Sequence, residues 1–403
     1  MTLRVLMIAP TSFFSDYGGH IRILEETRAL QARGVKIAIV TYYKGNDVPG
    51  IDIRRTPPLP WHTDYEVGSS RHKIAFDAYL AVKAAGEMRR FRPHLIHGHM
   101  HEGALIGGVL ARLAGVPLVF DFQGSLTAEM VDHDFLNPRG ALYPWIYRLE
   151  SAITRRLPDA ILTSTGRAAD LLRDQFHVHP ARIHPLPDCA DALQFDPARF
   201  PFTPADHPVR TKYAIPRDAV LIGYLGLLTD YQGIPHLIEA AAALKASGRK
   251  AHFLIMGYPN VDTYQMAVRA WGVEDCVTFT GRVPFADAPY HLSACDIAVA
   301  PKMSTSEGSG KLLNYMAMAL PIVAYDTPVN REYLGDLGVY ALPGDVTAFT
   351  AAIDGLLNKP ERRRELGACL RARAIEQFSW TAAAERVLGV YGDLTSKVKP
   401  PKI

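Results

Sequence analysis

The sequence lacks a cysteine framework, a long apolar run and a strong charge of either sign. Its four cysteines stand far apart, with no CxxC pair and no metal-ligand spacing, which excludes a disulfide scaffold and a cysteine-based zinc site. Buried thiols in a reducing compartment are the expected state. The formal net charge of +3 is too small to indicate a nucleic-acid partner.

No apolar run approaches the roughly 18 residues that a membrane-spanning helix needs. The opening MTLRVLMIAP contains only a short apolar stretch, which is typical of neither a signal peptide nor a membrane span. We therefore expect a cytoplasmic protein.

What the sequence does contain is an ordinary globular composition. Hydrophobic residues make up 48% and charged residues 21% of its 403 residues. This composition supports a full-sized core, and the length indicates two domains or one large α/β unit.

Short apolar runs alternate with helical patterns along the whole chain. Such runs predict buried parallel strands joined by helices, and the helical patterns at 21–34 and 103–115 each end on a glycine, as a C-terminal cap would. The predicted strands are VLMIA (5–9), VKIAIVTY (35–42), LIHGH (95–99), PLVFDF (117–122) and AILTS (160–164) in the first half, and VLIGYLG (220–226), AHFLIMG (251–257), VTFTG (277–281), DIAVAP (296–301) and PIVAY (321–325) in the second.

A Pro-, Asp- and Phe-rich stretch at 185–208 has no clear periodicity and separates the two halves. We predict two doubly wound α/β domains in tandem, at 1–190 and 191–377, which face each other across a cleft. Ligands of open α/β sheets bind outside the carboxyl ends of the strands. The loops at those ends are therefore the candidates for chemistry.

Two loops of the first half carry such signals. Gly18 and Gly19 precede a helix and would let an anionic group approach the backbone, although an ordinary strand-to-helix turn shows the same pattern. HGHMHEG supplies His97, His99 and His101 at alternate positions, but no complementary cysteine or distant HxH accompanies them, so we predict no metal. One histidine facing the cleft is the functional interpretation, and hydrogen-bonded structural histidines account for the others.

The stretch SEGSGKLLNYMAMALP (306–321) places Lys311 in a glycine-rich turn that starts a short helix. Free backbone N–H groups and a lysine at a helix start form a phosphate cradle. An ATPase loop needs a glycine five residues before Gly310 and Ser or Thr after the lysine. Thr305 and Leu312 occupy those places, so the ATPase hypothesis fails. A solvated surface lysine is the alternative for Lys311.

Together these motifs resemble glycosyltransferase family 4, retaining transferases with the GT-B architecture. The resemblance covers almost the whole chain and rests on the order of the GG turn, LIHGHMHEGALIG, PDCAD, VTFTGRVP, EGSGKLLNYMAMALPIVA and FSWTAAAERVLGVY (378–391). It implies two Rossmann-like domains, with a last helix at about 378–395 that returns to the first domain. It also implies metal-independent transfer of a sugar, with its anomeric configuration kept, from a nucleotide-diphosphate donor on the second domain to an acceptor on the first.

The resemblance further implies which residues form the site. His99 matches the family's histidine near the transferred sugar, and Glu307 matches the acidic residue that bonds the sugar's hydroxyls. These two are the predicted catalytic residues. The remaining predicted residues are Gly18, Gly19, Gly308, Ser309, Gly310 and Lys311 for the donor phosphates, Gly257, Arg282, Val283 and Asn314 for the donor nucleotide, and His20, Asp121 and Gln123 for the acceptor side.

The chain departs from the family pattern at three places. Leu227 and Gln232 stand where members carry an arginine and a lysine on the donor diphosphate, and Asn314 stands where a ribose-binding glutamate is expected. Losing two such cations would cost several kcal/mol. We hypothesise that Lys311 replaces them, with Asn314 one turn later on the same helical face.

Other interpretations stay open. The missing cations also suit a GT-B binding or partner subunit without transferase activity, and one architecture hosts epimerases and phosphorylases as well. The expected donor is a UDP- or GDP-sugar without a further cofactor, and the expected acceptor is a glycan, a lipid-linked glycan or a small molecule. The basic and apolar segment 71–92 suits peripheral contact with the inner membrane face, with an ordinary packed amphipathic helix as the alternative.

Overall fold

The computed structural model describes residues 2–15, 18–58, 73–132, 135–303 and 309–396. Their strands form two separate sheets, of seven and six strands, in which every pairing is parallel. The predicted pair of doubly wound α/β domains is confirmed.

The first sheet is built from the apolar runs of the first half. Its central strands are buried on both faces because helices cover both sides, as in other parallel sheets. Its strands are β1 (Arg4–Ala9), β2 (Lys36–Thr41), β3 (Ile53–Arg55), β4 (Leu95–His99), β5 (Leu118–Phe122), β6 (Ala160–Thr163) and β7 (Ile183–Pro185). They lie in the order β3-β2-β1-β4-β5-β6-β7.

Six helices connect these strands. The third of them ends on Gly115 in the left-handed conformation, at φ 67°, as the sequence predicts for a glycine cap. The helices are α1 (Gly18–Gln31), α2 (Lys73–Phe91), α3 (Met100–Ala114), α4 (Leu126–Asp132), α5 (Tyr143–Arg156) and α6 (Gly166–Asp174).

The second sheet repeats the same winding. Its strands are β8 (Val220–Leu225), β9 (Ala251–Met256), β10 (Val277–Gly281), β11 (Ile297–Ala300), β12 (Ile322–Tyr325) and β13 (Val339–Ala341), in the order β10-β9-β8-β11-β12-β13. The remaining helices are α7 (Pro208–Lys212), α8 (Ile234–Ala246), α9 (Val261–Ala270), α10 (Ala288–Leu292), α11 (Gly310–Ala317), α12 (Pro328–Leu334), α13 (Val346–Leu357), α14 (Pro360–Gln377) and α15 (Trp380–Ser396).

The last helix returns to the first domain, as predicted. Trp380, Val387 and Tyr391 of α15 are buried in one apolar cluster with residues of α1 and β1. The Tyr391 hydroxyl hydrogen-bonds with His97 Nδ1 at 2.7 Å. Two chain segments therefore connect the domains, and they touch where Ala190 N donates to the Phe378 carbonyl at 3.0 Å.

Three edge strands are absent from the sequence prediction. β3, β7 and β13 contain three residues each, and most of their side chains are only half-buried. Edge strands cover less apolar surface than central strands, so they lack the continuous apolar run on which the prediction depends.

The carboxyl ends of the two sheets face each other, and the loops after the strands line the space between them. Segment 71–92 forms α2 from Lys73 onward, and its Phe76, Leu80 and Phe91 pack into the first core. Within the described ranges no helix is both long and apolar enough to span a membrane.

Candidate functional site

A cleft of about 700 Å³ lies between the domains. Its walls are the start of α1 and the loops after β4 and β5 on the first domain, and the loop after β8 and the start of α11 on the second. This is the place that the strand-end rule predicts for ligands.

The start of α1 presents backbone to the cleft. Gly18 and Gly19 are its first two residues, and both line the cleft. A methyl group added at Gly18 would meet nothing within 4 Å, whereas one at Gly19 would lie 3.1 Å from Gln123 Oε1. A glycine at position 18 is therefore not required by packing, and open space lies beside this helix start.

Lys311 dominates the opposite wall. Its Nζ donates to Gln232 Oε1 at 2.8 Å and to the Tyr224 hydroxyl at 3.0 Å, and it lies 4.3 Å from the centre of the Tyr224 ring. The Tyr224 hydroxyl itself donates to the Leu227 carbonyl, so its oxygen is free to accept from the lysine. Lys311 is half-buried and lines the cleft, and its hydrogen bonds to Gln232 and Tyr224 favour a site lysine over a freely solvated one.

The electrostatics of Lys311 follow from these contacts. Burial, followed by the charge of nearby Lys302, lowers the pKa of Lys311 well below its ordinary value. Across the described ranges no carboxylate forms an ion pair with Lys311. Its two hydrogen-bond acceptors are neutral oxygens, which stabilise an ammonium much less than a carboxylate or phosphate would.

Two glycines bring the lysine to this position. A methyl group at Gly226 would lie 2.7 Å from Lys311 Nζ, and one at Gly257 would lie 1.8 Å from the Gly226 carbonyl oxygen. Neither contact leaves room for a side chain. The loops after β8 and β9 therefore approach each other closely, and the lysine packs directly on their backbone.

Polar groups surround Lys311 along the same wall. Lys302, Ser309, Thr229 and Asn314 all line the cleft. The Ser309 and Thr229 hydroxyl oxygens are buried and find no hydrogen-bond partner in the described part of the chain. Lysines, hydroxyls and the α11 start thus converge where an anionic ligand would fit.

The first-domain wall contains a different cation. Arg22 is buried and binds Asp121 through Nε and Nη2, the latter at 3.0 Å, and Asp188 through Nη1 at 2.8 Å. Burial alone would raise the pKa of Asp121, but the Arg22 charge and the His99 hydrogen bond outweigh it and hold that pKa well below its usual range. Two carboxylates therefore already balance the Arg22 charge.

The three histidines, two at the end of β4 and one at the start of α3, have three different environments. His97 contacts Tyr391, and His99 Nδ1 hydrogen-bonds with Asp121 Oδ2 at 3.0 Å, with its ring stacked on His97 at 4.4 Å. Both rings are fully buried, so the expected exposure of His99 to the cleft is not observed. His101 is the histidine that lines the cleft, and its Nε2 lies 3.4 Å from Glu150 Oε1.

One buried cluster has the spacing of a metal site. Its possible ligand atoms lie within 4.8 Å of one another and belong to Glu26, His97, His99 and Asp121. The Arg22 guanidinium contacts Asp121 in this cluster and supplies the positive charge that its carboxylate needs. The residues therefore fit an internal ion pair better than a metal site, and the absence of a metal requirement stays a prediction.

His20 also turns away from the cleft. Its Nδ1 accepts a hydrogen bond from Ser15 N at 2.8 Å, and its Nε2 contacts the Thr11 hydroxyl. Burial lowers the pKa of His20 to about 3. His20 therefore stays neutral and fixes the loop before α1 rather than facing an acceptor.

The predicted site residues thus divide into four groups. Arg282 does not line the cleft, but its guanidinium lies 5.3 Å from the ring of Tyr258, which does. Three further residues are buried beneath the cleft surface, namely His20, His99 and Asp121. Glu307 and Gly308 fall outside the described residues. The cleft brings together Gly18, Gly19, Gln123, Gly257, Val283, Ser309, Gly310, Lys311 and Asn314.

The sequence prediction missed Arg22 and Asp188. Arg22 stands between Ile21 and Ile23, and a charged residue among the apolar residues of a helix was the signal for a buried ion pair. Asp188 belongs to the PDCAD motif, where its carboxylate meets Arg22. Both residues line the cleft at the junction of the domains.

Two family models match the chain. The description "Glycosyl transferase 4-like domain" matches residues 18–189, and "Glycosyl transferases group 1" matches residues 219–359. The second segment contains the whole second sheet, and the first contains every strand of the first sheet except β1.

Individual relatives are similar over most of their length. The chain is 26% identical to the 2-deoxystreptamine glucosyltransferase of Streptomyces kanamyceticus, over 84% of this chain and 89% of the relative. It is 25% identical to a D-inositol 3-phosphate glycosyltransferase of Kineococcus radiotolerans, over 93% and 90%.

Solved structures share the fold. Sucrose-phosphate synthase from Thermosynechococcus elongatus superposes with a TM-score of 0.81 at 17% identity, covering 98% of this chain and 99% of that one. Anabaena HepE, in complex with UDP and glucose, superposes with a TM-score of 0.77 at 14% identity, covering 97% and 100%. These likenesses show the two-domain GT-B fold.

Proposed function

Because the chain belongs to the GT-B glycosyltransferases of family 4, we propose that it transfers a sugar from a nucleotide-diphosphate donor to a hydroxyl-bearing acceptor with retention of anomeric configuration. The donor binds the second-domain wall, and the acceptor binds the first-domain wall. UDP- or GDP-sugars are the proposed donors. A glycan, a lipid-linked glycan or a small molecule is the proposed acceptor.

The position of Lys311 carries this proposal. The loop after β8 lacks a cation of its own, since Leu227 and Gln232 stand where the family pattern has arginine and lysine. Lys311 Nζ reaches that same loop and hydrogen-bonds to Gln232 at 2.8 Å. One ammonium from α11 thus lies where cations from the loop are expected.

The charge of the leaving group explains why this position matters. Cleavage of the sugar–phosphate bond places negative charge on the nucleoside diphosphate, and preorganised cations lower the barrier by stabilising it. A partly buried ammonium with only neutral partners is poorly solvated, so an anion in contact with it gains a strong interaction. Lys302 and the backbone N–H groups at the start of α11 add further positive charge on this wall of the cleft.

The proposed reaction needs no metal ion, because Lys311 and Lys302 provide the countercharge for the diphosphate. Asn314 lines the cleft one turn after Lys311, and its amide has both donors and an acceptor for a ribose diol. We propose that Asn314 binds the donor ribose in place of a glutamate. Turnover that persists in the presence of EDTA would support metal independence.

Thermal unfolding with UDP, GDP and ADP tests donor binding. A ligand at about one hundred times its dissociation constant stabilises the native state by about 2.7 kcal/mol. We expect one or more of the three nucleotides to raise the melting temperature. The corresponding sugar donors are then tested for transfer, and NMR of the product reports whether the anomeric configuration is kept.

The variant Lys311→Ala tests the charge role, with Lys250→Ala as control. Lys250 is an exposed lysine of the second domain that pairs with Asp218, so its loss changes the net charge equally. We expect Lys311→Ala to lose the nucleotide shift and about 10²–10³-fold in turnover, with Lys250→Ala unchanged. Full turnover in Lys311→Ala would contradict the charge role. Nucleotide binding without transfer to any acceptor would instead indicate a binding subunit.

A further inference from the structure

An apolar face lies on the outside of the first domain, away from the site. It consists of Leu105, Val109 and Leu113 on α3 and Trp145 and Leu149 on α5, which we call the α3–α5 face. Leu113 is 81% exposed and Trp145 is 67% exposed. Each set follows helical spacing on the side of its helix opposite the core.

The two helices are close neighbours. A methyl group at Gly108 of α3 would lie 2.8 Å from Leu157 Cβ, just after α5. Arg112 Nη2 donates to the Arg156 carbonyl at 2.6 Å. The two apolar rows therefore form one continuous surface.

Basic groups predominate on this surface, although exposed Asp159, just after α5, lines the same groove as Arg112 and Arg156. Arg112, Arg148, Arg155 and Arg156 are all exposed on α3 and α5, and the Arg148 guanidinium lies 5.7 Å from the centre of the Trp145 ring. In these two fully described helices no carboxylate is exposed, because Glu150 is buried and Glu102 pairs with Lys73.

The second domain shows that this pattern is not general for the molecule. Helix α9 and its end also expose two large apolar side chains, Met266 and Trp271. Asp262 is exposed on the same helix, and exposed Glu274 and Asp275 follow Trp271. Three exposed acidic groups and one exposed arginine, Arg269, thus accompany the apolar residues there, whereas four exposed arginines and one acidic group, Asp159, accompany the α3–α5 face.

We propose that the α3–α5 face docks onto an anionic lipid bilayer. Apolar side chains enter the interface, tryptophan lies at headgroup depth, and arginines contact lipid phosphates. Each arginine near an anionic surface strengthens binding about fivefold. This surface differs from segment 71–92, on which the sequence expectation of membrane contact rested, and it does not depend on the proposed transfer reaction.

A second copy of the chain fits this face less well. A two-fold interface places the same patch on both partners, so the arginines of each copy would face arginines, and like charges across an interface oppose association. The bilayer supplies the complementary charge. The face also continues toward the cleft, since Met100 and Glu102 at the start of α3 line it.

Co-sedimentation with vesicles tests the proposal without donor or acceptor. Vesicles of phosphatidylcholine with about one-third phosphatidylglycerol are compared with pure phosphatidylcholine. The double variant Trp145→Ser/Leu149→Ser removes two exposed apolar groups, and Met266→Ser/Trp271→Ser is the matched control on the second domain. Arg148→Glu reverses one charge and keeps the exposed apolar side chains, although it also removes the guanidinium from the Trp145 ring.

We expect wild-type protein and the control to sediment with anionic vesicles, and far less with neutral ones. The Trp145/Leu149 double variant should lose about tenfold in partitioning. Arg148→Glu removes one positive charge and adds a negative one, so it should lose about 25-fold. Wild-type protein that stays in the supernatant, or equal losses in both double variants, would overturn the proposal. So would a wild-type dimer in sedimentation velocity that the Trp145/Leu149 variant converts to a monomer.

Discussion

Arg22 is a buried cation and Lys311 a half-buried one. They lie on opposite walls of one cleft, and their surroundings differ. Arg22 binds two carboxylates, Asp121 and Asp188. Lys311 binds two neutral oxygens, from Gln232 and Tyr224, and within the described ranges it pairs with no carboxylate. The first wall therefore holds a balanced charge, and the second wall holds an unbalanced one.

This difference separates a cation that is paired inside the protein from one that lacks a carboxylate partner within the described ranges. A buried charge is costly unless it is paired and hydrogen-bonded. Arg22 meets that condition inside the protein, so its charge stabilises the junction of the domains. Lys311 lacks a carboxylate partner within the described ranges, so its partly buried charge carries a cost that, under the proposed function, an anion in the cleft would offset. Active-site groups often show such a cost.

Removal of Arg22 should have the largest effect on stability. Arg22→Met leaves the buried carboxylate of Asp121 without its cation, which costs about 3–5 kcal/mol in the free energy of unfolding. Urea denaturation measures this loss. Arg28→Ala is the control, because Arg28 is about half exposed and pairs with Glu25 on the same helix. A loss below about 1 kcal/mol in Arg22→Met would show that the first wall does not rely on this ion pair.

Gly257→Ala should have the next largest effect, on the second wall. The added methyl group would lie 1.8 Å from the Gly226 carbonyl oxygen, so the loops after β8 and β9 must move apart. We expect a loss of about 2 kcal/mol or more in the free energy of unfolding together with weaker nucleotide binding. Calorimetry with and without nucleotide separates the two effects. Unchanged stability would mean that this close approach is not maintained in solution.

Lys311→Met should act in the opposite direction to Arg22→Met. Removing a partly buried, unpaired ammonium is expected to stabilise the ligand-free protein by about 1 kcal/mol near neutral pH, while nucleotide binding is lost. Equilibrium unfolding at several pH values measures the gain. Destabilisation of the ligand-free protein by this variant would indicate that an anionic group already pairs with Lys311.

The pH dependence of that gain has a defined sign. The pKa of Lys311 is lowered by burial in the native state, whereas in the unfolded chain it is about 10.4. Between these values the unfolded state binds one more proton, so the stability of the wild-type protein rises with pH through this window. The advantage of Lys311→Met should therefore shrink as pH rises toward about 10. An advantage independent of pH would contradict the lowered pKa.

Gly18→Ala should have the smallest effect on stability. A methyl group there meets nothing within 4 Å, so we expect a change of at most about 1 kcal/mol in the free energy of unfolding, toward greater stability. Weaker nucleotide binding in this variant would indicate that the ligand approaches the α1 start. Nucleotide binding equal to that of the wild-type protein would indicate that only the second-domain wall contacts the phosphates. Gly257→Ala provides the contrast, since its methyl group has no space.

Much of the fold was predictable because local pattern determines it. Central strands such as β1 and β8 are continuous apolar runs, and Gly115 ends α3 as a glycine after a helix predicts. The short strand β3 was not predictable, since a half-buried edge strand leaves no apolar run. The position of Lys311 at the start of a helix was also readable from sequence.

The environments of the site residues were not readable in the same way. His97, His99 and His101 alternate along one segment, yet each has a different partner, and these partners come from α15, β5 and α5. The alternating positions of the three histidines do not show which of them faces the cleft. Only the packing of distant elements decides which of them reaches the cleft.

The sequence by itself therefore determined the two tandem α/β domains, the cleft between them and the loops that line it, because apolar periodicity and glycine positions act over short range. The tertiary structure alone decided the charge balance of the two walls. Lys311 meets Tyr224 and Gln232 from 87 and 79 residues away, and Arg22 meets Asp188 from 166 residues away. The energy of a buried charge depends on neighbours in space, and these neighbours are set by how strands and helices pack.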